Sequence, residues 1–382
     1  MQSKFDEIID RRNTGSWKWD EFSREVLPMW LADMDFRAPA CVRESLKQSV
    51  EQGVFGYSIP TEKLQKLIVD RLAKQHHLFI DKEDIVWLPG LVTGINLACK
   101  CAGEECDEIL VPTPAYPPFL MAPSNQKRKC TKVPMMRKGN RWLIDFELLK
   151  SKITPKTKGI LLCNPHNPTG RVFTRDELLQ IGEIAIEHDL VICSDEIHCD
   201  LVLAKQADHV SIASLGEEIS KRTISLFAPS KTFNIAGLGF SFAVVKNPEL
   251  KAKFSPQNDG LVPHINQLGF VAGEAAYQGG EPWRLELIEY LRGNLELVQQ
   301  MVDSLDGVSM IAPEATYLAW IDCSALGLRD PSKYFLEQGL GLGFGSFFGD
   351  RNFVRMNFAC PRETLLQGLR LFKTAVKNLS KV

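Results

Sequence analysis

The chain lacks any large imbalance of charge. Its 382 residues carry 45 lysines and arginines against 47 aspartates and glutamates, a net charge of −2. No long basic run is present, so neither nucleic acid nor an anionic membrane surface is expected as a partner. An apolar run of about 18 residues is also missing, so no membrane span is expected. The opening MQSKFDEIIDRRNTGSWKWD is charged and has no apolar stretch of the kind an export signal carries, so a cytoplasmic protein is expected. Its ten cysteines then read as reduced thiols. Cys99, Cys101 and Cys106 have C-x-C-x4-C spacing with no downstream pair, so no zinc knuckle and no metal are expected, and Cys193 and Cys199 read as packing residues. There is no internal repeat, low-complexity segment or helix-turn-helix pattern. The glycine-rich GLGLGFGSFFG fits G-x-G-x-x-G in no register and reads as a flexible loop or turn.

What is there is alternation. Short apolar runs and helical patterns follow one another from about residue 84 to 245. DIVWLPG, EILVPTPAYPPF, KGILLCNPHNPTG, LVICSDEIHCDL, TISLFAPSK and GFSFAVVKN read as strands, and LVTGINLACKCAG and TRDELLQIGEIAIEHD as helices. Thr174 with Glu177 three residues on makes a capping box. This order implies an α/β domain with a mostly parallel sheet, whose ligand site lies beyond the carboxyl ends of the strands. After about residue 263 a long helical stretch leads into short strands and a terminal helix, a smaller α+β lobe. The first 40 residues read as an arm packed on the lobes.

Four features fall where the strand ends converge. Lys231 is the only charge in FAPSKTFNIAGLGFS, and an apolar setting lowers an amine's pKa towards the nucleophilic neutral form. Asp195, in SDEIH at a strand tip, is a carboxylate that burial penalises unless a cation meets it; a helix N-cap is the alternative. Asn167, in NPHNPTG, sits in a rigid non-helical turn. Arg355, in FVRMNFACPR, lies between apolar neighbours on a strand, a setting for bidentate capture of a carboxylate or for a structural ion pair. Together they match the needs of pyridoxal phosphate: an amine for the aldehyde, an acid for the ring nitrogen and a donor for the 3′-oxygen.

NPTG, SDEIH, SKTFNIAGL and R-x-N, in that order, resemble the fold-type I pyridoxal-phosphate enzymes, the aspartate aminotransferase superfamily. Within it, FDEIIDRRNTGSWKWD, PMWLADMDF, DEIHCDL and PSKTFNIAGL resemble the cystathionine β-lyase or C–S lyase subgroup. The resemblance covers nearly the whole chain. It implies an N-terminal arm with part of the small domain (1–45), a large cofactor-binding domain with a mostly parallel seven-stranded sheet (46–280) and a small α+β domain (281–382). It implies that Lys231 links to the cofactor aldehyde as a Schiff base and that Asp195 keeps the ring nitrogen protonated. Asn167 would bond the 3′-oxygen, with His198 beside it where relatives carry tyrosine, and Tyr116 would stack on the ring. Backbone N–H groups of Val92 and Thr93, with the Ser230 hydroxyl, would hold the phosphate. Tyr57 would reach that phosphate from a partner subunit, making a homodimer with a shared site. Arg355 would grip the substrate α-carboxylate, and Ala32 lies where the arm closes over the substrate. Trp30, Phe348 and Tyr116 are candidates for the side-chain pocket. Ala228 and Pro229 stand where many relatives place a hydroxyl, leaving the phosphate cup one donor short. The implied activity is β-elimination from cystathionine or a related cysteine S-conjugate, giving a thiol such as homocysteine, pyruvate and ammonia. An aminotransferase, or a regulatory protein retaining the fold, is the alternative.

Overall fold

The computed structural model describes residues 3–255 and 260–379. A seven-stranded sheet runs, edge to edge, Ile85–Leu88, Ser241–Val244, Thr223–Phe227, Val191–Asp195, Thr157–Cys163, Glu108–Thr113, Lys129–Pro134. All neighbours pair parallel except Ser241–Val244, which is antiparallel to both its neighbours. The inner strands are apolar without alternation because helices cover both faces. Along Thr157–Cys163, Leu161 and Cys163 pack with Ile95 and Ala98 of helix Leu91–Cys101. Ile160 and Leu162 point the other way and pack with Leu178 and Ile181 of helix Arg175–Glu187. That second helix starts where the capping box predicts. The Thr174 hydroxyl accepts from Glu177 N at 3.3 Å, and the Glu177 carboxylate accepts from Thr174 N at 2.7 Å.

A second sheet holds, in order, Leu27–Met29, Leu340–Phe344, Phe353–Asn357, Leu318–Asp322 and Ser309–Met310. Its first strand comes from the start of the chain and pairs parallel with Leu340–Phe344. Helix Arg362–Leu379 buries Leu365, Leu369, Phe372 and Val376, a stripe at helical spacing, and Phe372 stacks on Phe335 with ring centroids 4.4 Å apart. Each such side chain contributes about 1.5–3 kcal/mol by leaving water. Glu281–Asp303, 23 residues, is the long helix that precedes the other four strands of this sheet.

The glycine-rich run is not the expected loop. Leu340–Phe344 is a buried strand and Gly345–Phe348 a short helix. The glycines serve close approach. A Cβ at Gly341 would stand 2.8 Å from the Phe22 ring, and one at Gly343 3.3 Å from Arg355 Cβ. Among the described residues no helix is long and apolar enough to cross a membrane. Among the described residues no disulfide joins any of the ten cysteines; Cys99 and Cys101 lie on one helix, while Cys106 is exposed at positive φ.

Candidate active site

The strand Val191–Asp195 delivers Asp195 at its carboxyl end, and the neighbouring strand Thr223–Phe227 leads to Lys231. Asp195 is buried, and one carboxylate oxygen accepts from Ile197 N at 3.1 Å. No helix follows it, so the N-cap alternative is not realised; the chain enters a turn. Burial pushes its carboxyl up to about 7; the Ile197 N–H works against this, and so, least of all, does the Lys231 ammonium. A carboxyl in that state is one that a nearby cation would return to its ionised form.

Part of the Lys231 side chain is accessible, as a reacting amine requires. Burial of its nitrogen is the largest influence and lowers its pKa to about 8. The nitrogen donates to the Ala32 carbonyl at 2.7 Å. Arg355 is buried, and burial lowers its pKa to about 10, so it stays charged at neutral pH. Its guanidinium donates to Asn167 Oδ1 at 3.0 Å and to the Trp30 carbonyl at 2.9 Å, and it lies 4.5 Å from the centre of the Phe348 ring. The first bond orients Asn167: with its oxygen committed to Arg355, the amide N–H groups face elsewhere as donors. The turn holding Asn167 contains two cis peptides, Asn164–Pro165 and Asn167–Pro168. His198 is buried, its Nδ1 has no hydrogen-bond partner among the described residues, and burial lowers it to about 3, so the ring is neutral. Tyr116 is half-buried; burial raises its pKa, with Arg355 opposing and Asp195 reinforcing the effect.

The structure therefore brings Lys231, Asp195, Asn167, His198, Arg355, Tyr116 and Ala32 to one place, with Ser230 adjacent in the chain. Gly90 precedes helix Leu91–Cys101, whose first turn carries Val92 and Thr93. This helix lies against the strand that leads to Lys231, since a Cβ at Gly94 would stand 2.9 Å from Leu226. Tyr57 is not brought in: it is 102% exposed on an irregular segment that also exposes Val54, Phe55 and Ile59.

What the sequence did not reveal is the role of the backbone at Trp30–Met34. Its carbonyls accept from a ring of side chains. Arg355 takes Trp30, Asn357 takes Leu31 and Asp33, and Lys231 and Tyr317 share Ala32. Asn234 bonds both Met34 N and Met34 O. Below this, Asp35 accepts from Lys18 at 2.7 Å, Arg11 at 2.8 Å and Trp19 at 2.7 Å. Lys18 is only 1% exposed. Removing one member of a buried ion pair strands the other charge and costs about 3–5 kcal/mol. Asp35→Ala is thus expected to lower stability by about that amount in urea unfolding. A loss within experimental error would show that the Lys18 contact is dispensable.

The buried histidines set the acid stability. Burial lowers His166 to about 3, like His198. An unfolded imidazole titrates near ~6.5, so between there and about pH 3 the unfolded chain binds the extra proton. Stability is fully present above the unfolded value and falls as pH drops, by up to about 1.4 kcal/mol per pH unit for each ring. His166→Gln is expected to flatten this acid limb when unfolding is followed from pH 7 to 5. An unchanged slope contradicts the assignment.

The residues fit pyridoxal phosphate on the structure's own terms: a depressed amine, a buried carboxyl lacking a strong cation, an oriented amide donor and an orphaned imidazole nitrogen. Comparison with known proteins agrees. The family model for aminotransferase class I and II matches residues 29–371. Cystathionine beta-lyase PatB of Bacillus subtilis (strain 168) is 37% identical, covering 97% of this chain and 99% of its own. The crystal structure of OvoB superposes with a TM-score of 0.95 at 44% identity, over 97% of this chain and 98% of that one. Cystalysin from Treponema denticola, whose structure contains pyridoxal 5′-phosphate, gives 0.94 at 33%, over 99% and 100%. This chain belongs to the aminotransferase class I and II family, in the branch that includes the cystathionine β-lyases.

Proposed function

We propose that the chain is a pyridoxal-phosphate-dependent carbon–sulfur lyase. It would cleave cystathionine or a related cysteine S-conjugate by β-elimination, releasing a thiol, pyruvate and ammonia. The observation that carries this reading is the set of partly accessible Lys231 and buried Asp195, Asn167 and Arg355, joined to a likeness along nearly the whole chain to proteins named cystathionine β-lyase.

When bound, the cofactor supplies an aldehyde that condenses with amines and a ring that stores the electron pair left by a departing proton. The residues divide the remaining work. Lys231 would hold the aldehyde. Its freed nitrogen, with a pKa of about 8, is then neutral in enough molecules to accept the Cα proton near neutral pH. The Asp195 carboxylate keeps a proton on the ring nitrogen. Asn167 donates to the 3′-oxygen while Arg355 holds the substrate carboxylate, and the bond between the two side chains ties the two positions together. Tyr116 covers one ring face, and His198, being neutral, adds no charge. Loss of the Cα proton would let the thiolate leave Cβ, and hydrolysis of what remains would give pyruvate and ammonia. Backbone N–H groups at Val92 and Thr93 and the Ser230 hydroxyl serve as the phosphate cup.

The same reading takes residues 46–280 as the cofactor domain, 281–382 as the small domain and 1–45 as an arm, in a cytoplasmic protein. It makes the site a property of a homodimer, with the exposed Val54–Ile59 segment crossing to a second copy so that Tyr57 meets the phosphate. Tyr57→Phe is expected to weaken cofactor retention about 10-fold, the worth of one hydrogen bond to a charged group, while sedimentation still reports a dimer. A fully active monomer contradicts this arrangement. Product analysis on cystathionine, cystine, cysteine and an alkyl-cysteine tests the function as a whole. Pyruvate from at least one of them is expected; pyruvate from none overturns the proposal.

A further inference from the structure

Directly behind the turn that carries Asp195 and His198 lies a cluster to which the reaction assigns no task. His76 ends helix Glu62–His76, Cys199 follows His198, and His209 lies in the segment beyond it. One ligating atom from each lies within 4.8 Å of the other two. The two imidazoles meet edge to face with centroids 5.1 Å apart. Both have a buried Nδ1 without a hydrogen-bond partner among the described residues. Their Nε2 atoms face carboxylates: His209 lies 2.8 Å from Glu196 and His76 3.8 Å from Asp200. For His209 this is the pattern of a metal-bound histidine, whose second nitrogen is held by a carboxylate so that the first is aimed at the ion; His76 has a carboxylate on the same side at longer range.

Charge supplies an independent argument. Glu196 is 0% exposed, and its side-chain partners are His209 and the Ser211 hydroxyl. Among the described residues no lysine or arginine pairs with it. A buried carboxylate without a cation is costly. Arg71, the cation nearby, is already engaged by Asp200 at 2.9 Å and Glu281 at 3.5 Å. A small void of about 10 Å³ beside the cluster is lined by His76, Cys199, Asp200, Arg71 and Tyr277 together with apolar side chains.

We propose that His76, Cys199 and His209 form a binding site for a divalent metal ion of the zinc type, with a water molecule as fourth ligand. Two imidazoles and a thiolate suit tetrahedral zinc, with ligand bonds of about 2.0–2.3 Å. Neighbouring ligand atoms then stand roughly 3.3–3.8 Å apart, so a modest closure of the three side chains completes the shell. On binding, the Cys199 thiol gives its proton to solvent and its sulfur bonds the ion. The ligands come from three separate stretches, so no spacing in the sequence announces them. The ion would brace the Asp195–Asp200 turn from behind, without touching the substrate.

The test uses the holoenzyme, stripped with a chelator and then given cobalt(II) or zinc(II). The proposal expects one ion per chain to survive gel filtration and cobalt to show the intense red-region bands of tetrahedral thiolate coordination. Cys199→Ser is close to isosteric and should abolish those bands. His209→Gln should weaken binding by about 10–100-fold, and Cys106→Ser, on the surface, should change nothing. Two results would overturn the site: no ion retained by the parent protein, as when a water bridges the imidazoles, or an ion retained equally by Cys199→Ser and His209→Gln.

Discussion

Replacing Lys231 with alanine is expected to lower turnover by about 10⁴-fold or more, because one nitrogen performs two tasks. General acid–base catalysis alone contributes about 10²–10⁴-fold, and the covalent hold on the aldehyde is lost with it. The variant should fold. The Lys231 nitrogen has a single hydrogen bond, to Ala32 O, and Tyr317 also donates to that carbonyl at 3.1 Å. The cofactor should still bind through Asp195 and the phosphate cup, but not covalently. Borohydride reduction followed by intact-mass measurement should fix the cofactor to the parent protein and not to the variant. Turnover within 10-fold of the parent, or a cofactor fixed at another lysine, would remove Lys231 from the centre of the mechanism.

Arg355→Lys should have the second-largest effect. The guanidinium is pinned before substrate arrives by Asn167 and the Trp30 carbonyl, and Phe348 lies against it. Only a planar fork can make those bonds and also meet a carboxylate with two N–H groups. A lysine ammonium keeps the charge but loses the geometry. Charge-assisted hydrogen bonds contribute about 1.5–3 kcal/mol each. Loss of two gives about 3–6 kcal/mol, or a fall of roughly 10²–10⁴-fold in kcat/KM. Most of it should appear in KM if Arg355 binds ground state and transition state alike. The freed Asn167 oxygen should also perturb cofactor absorbance before any substrate is added. An unchanged kcat/KM would mean that the substrate carboxylate is held elsewhere and that Arg355 is a structural brace.

The parts of the site legible in the sequence are those where a charge stands in or just after an apolar run. Asp195, Lys231 and Arg355 each break such a run, and an enclosed charge needs a reason. Helix Arg175–Glu187 was legible from its cap, which is a local signal. The backbone carbonyls of Trp30–Asp33 were not, because every residue has one and nothing in the side chains marks which will be used. Ala32 drew attention through resemblance alone, whereas its physical role is to offer the oxygen that Lys231 and Tyr317 share. Lys18 looked like one charge among many at the start of the chain, yet it is buried on Asp35. The glycine-rich run misled for a related reason. Glycine signals freedom when read locally, but here Gly341 and Gly343 make room for Phe22 and Arg355.

The fate of the electron pair at Cα separates a lyase from an aminotransferase, and the residues that hold the cofactor serve both. The decisive measurement mixes holoenzyme with cystathionine in the absence of any keto acid and quantifies thiol, pyruvate and ammonia over many turnovers. The account predicts the three products in equal amounts, with the cofactor spectrum returning to its starting form. Conversion of the cofactor to its amine form after a single turnover, with no thiol and no pyruvate released, would contradict it.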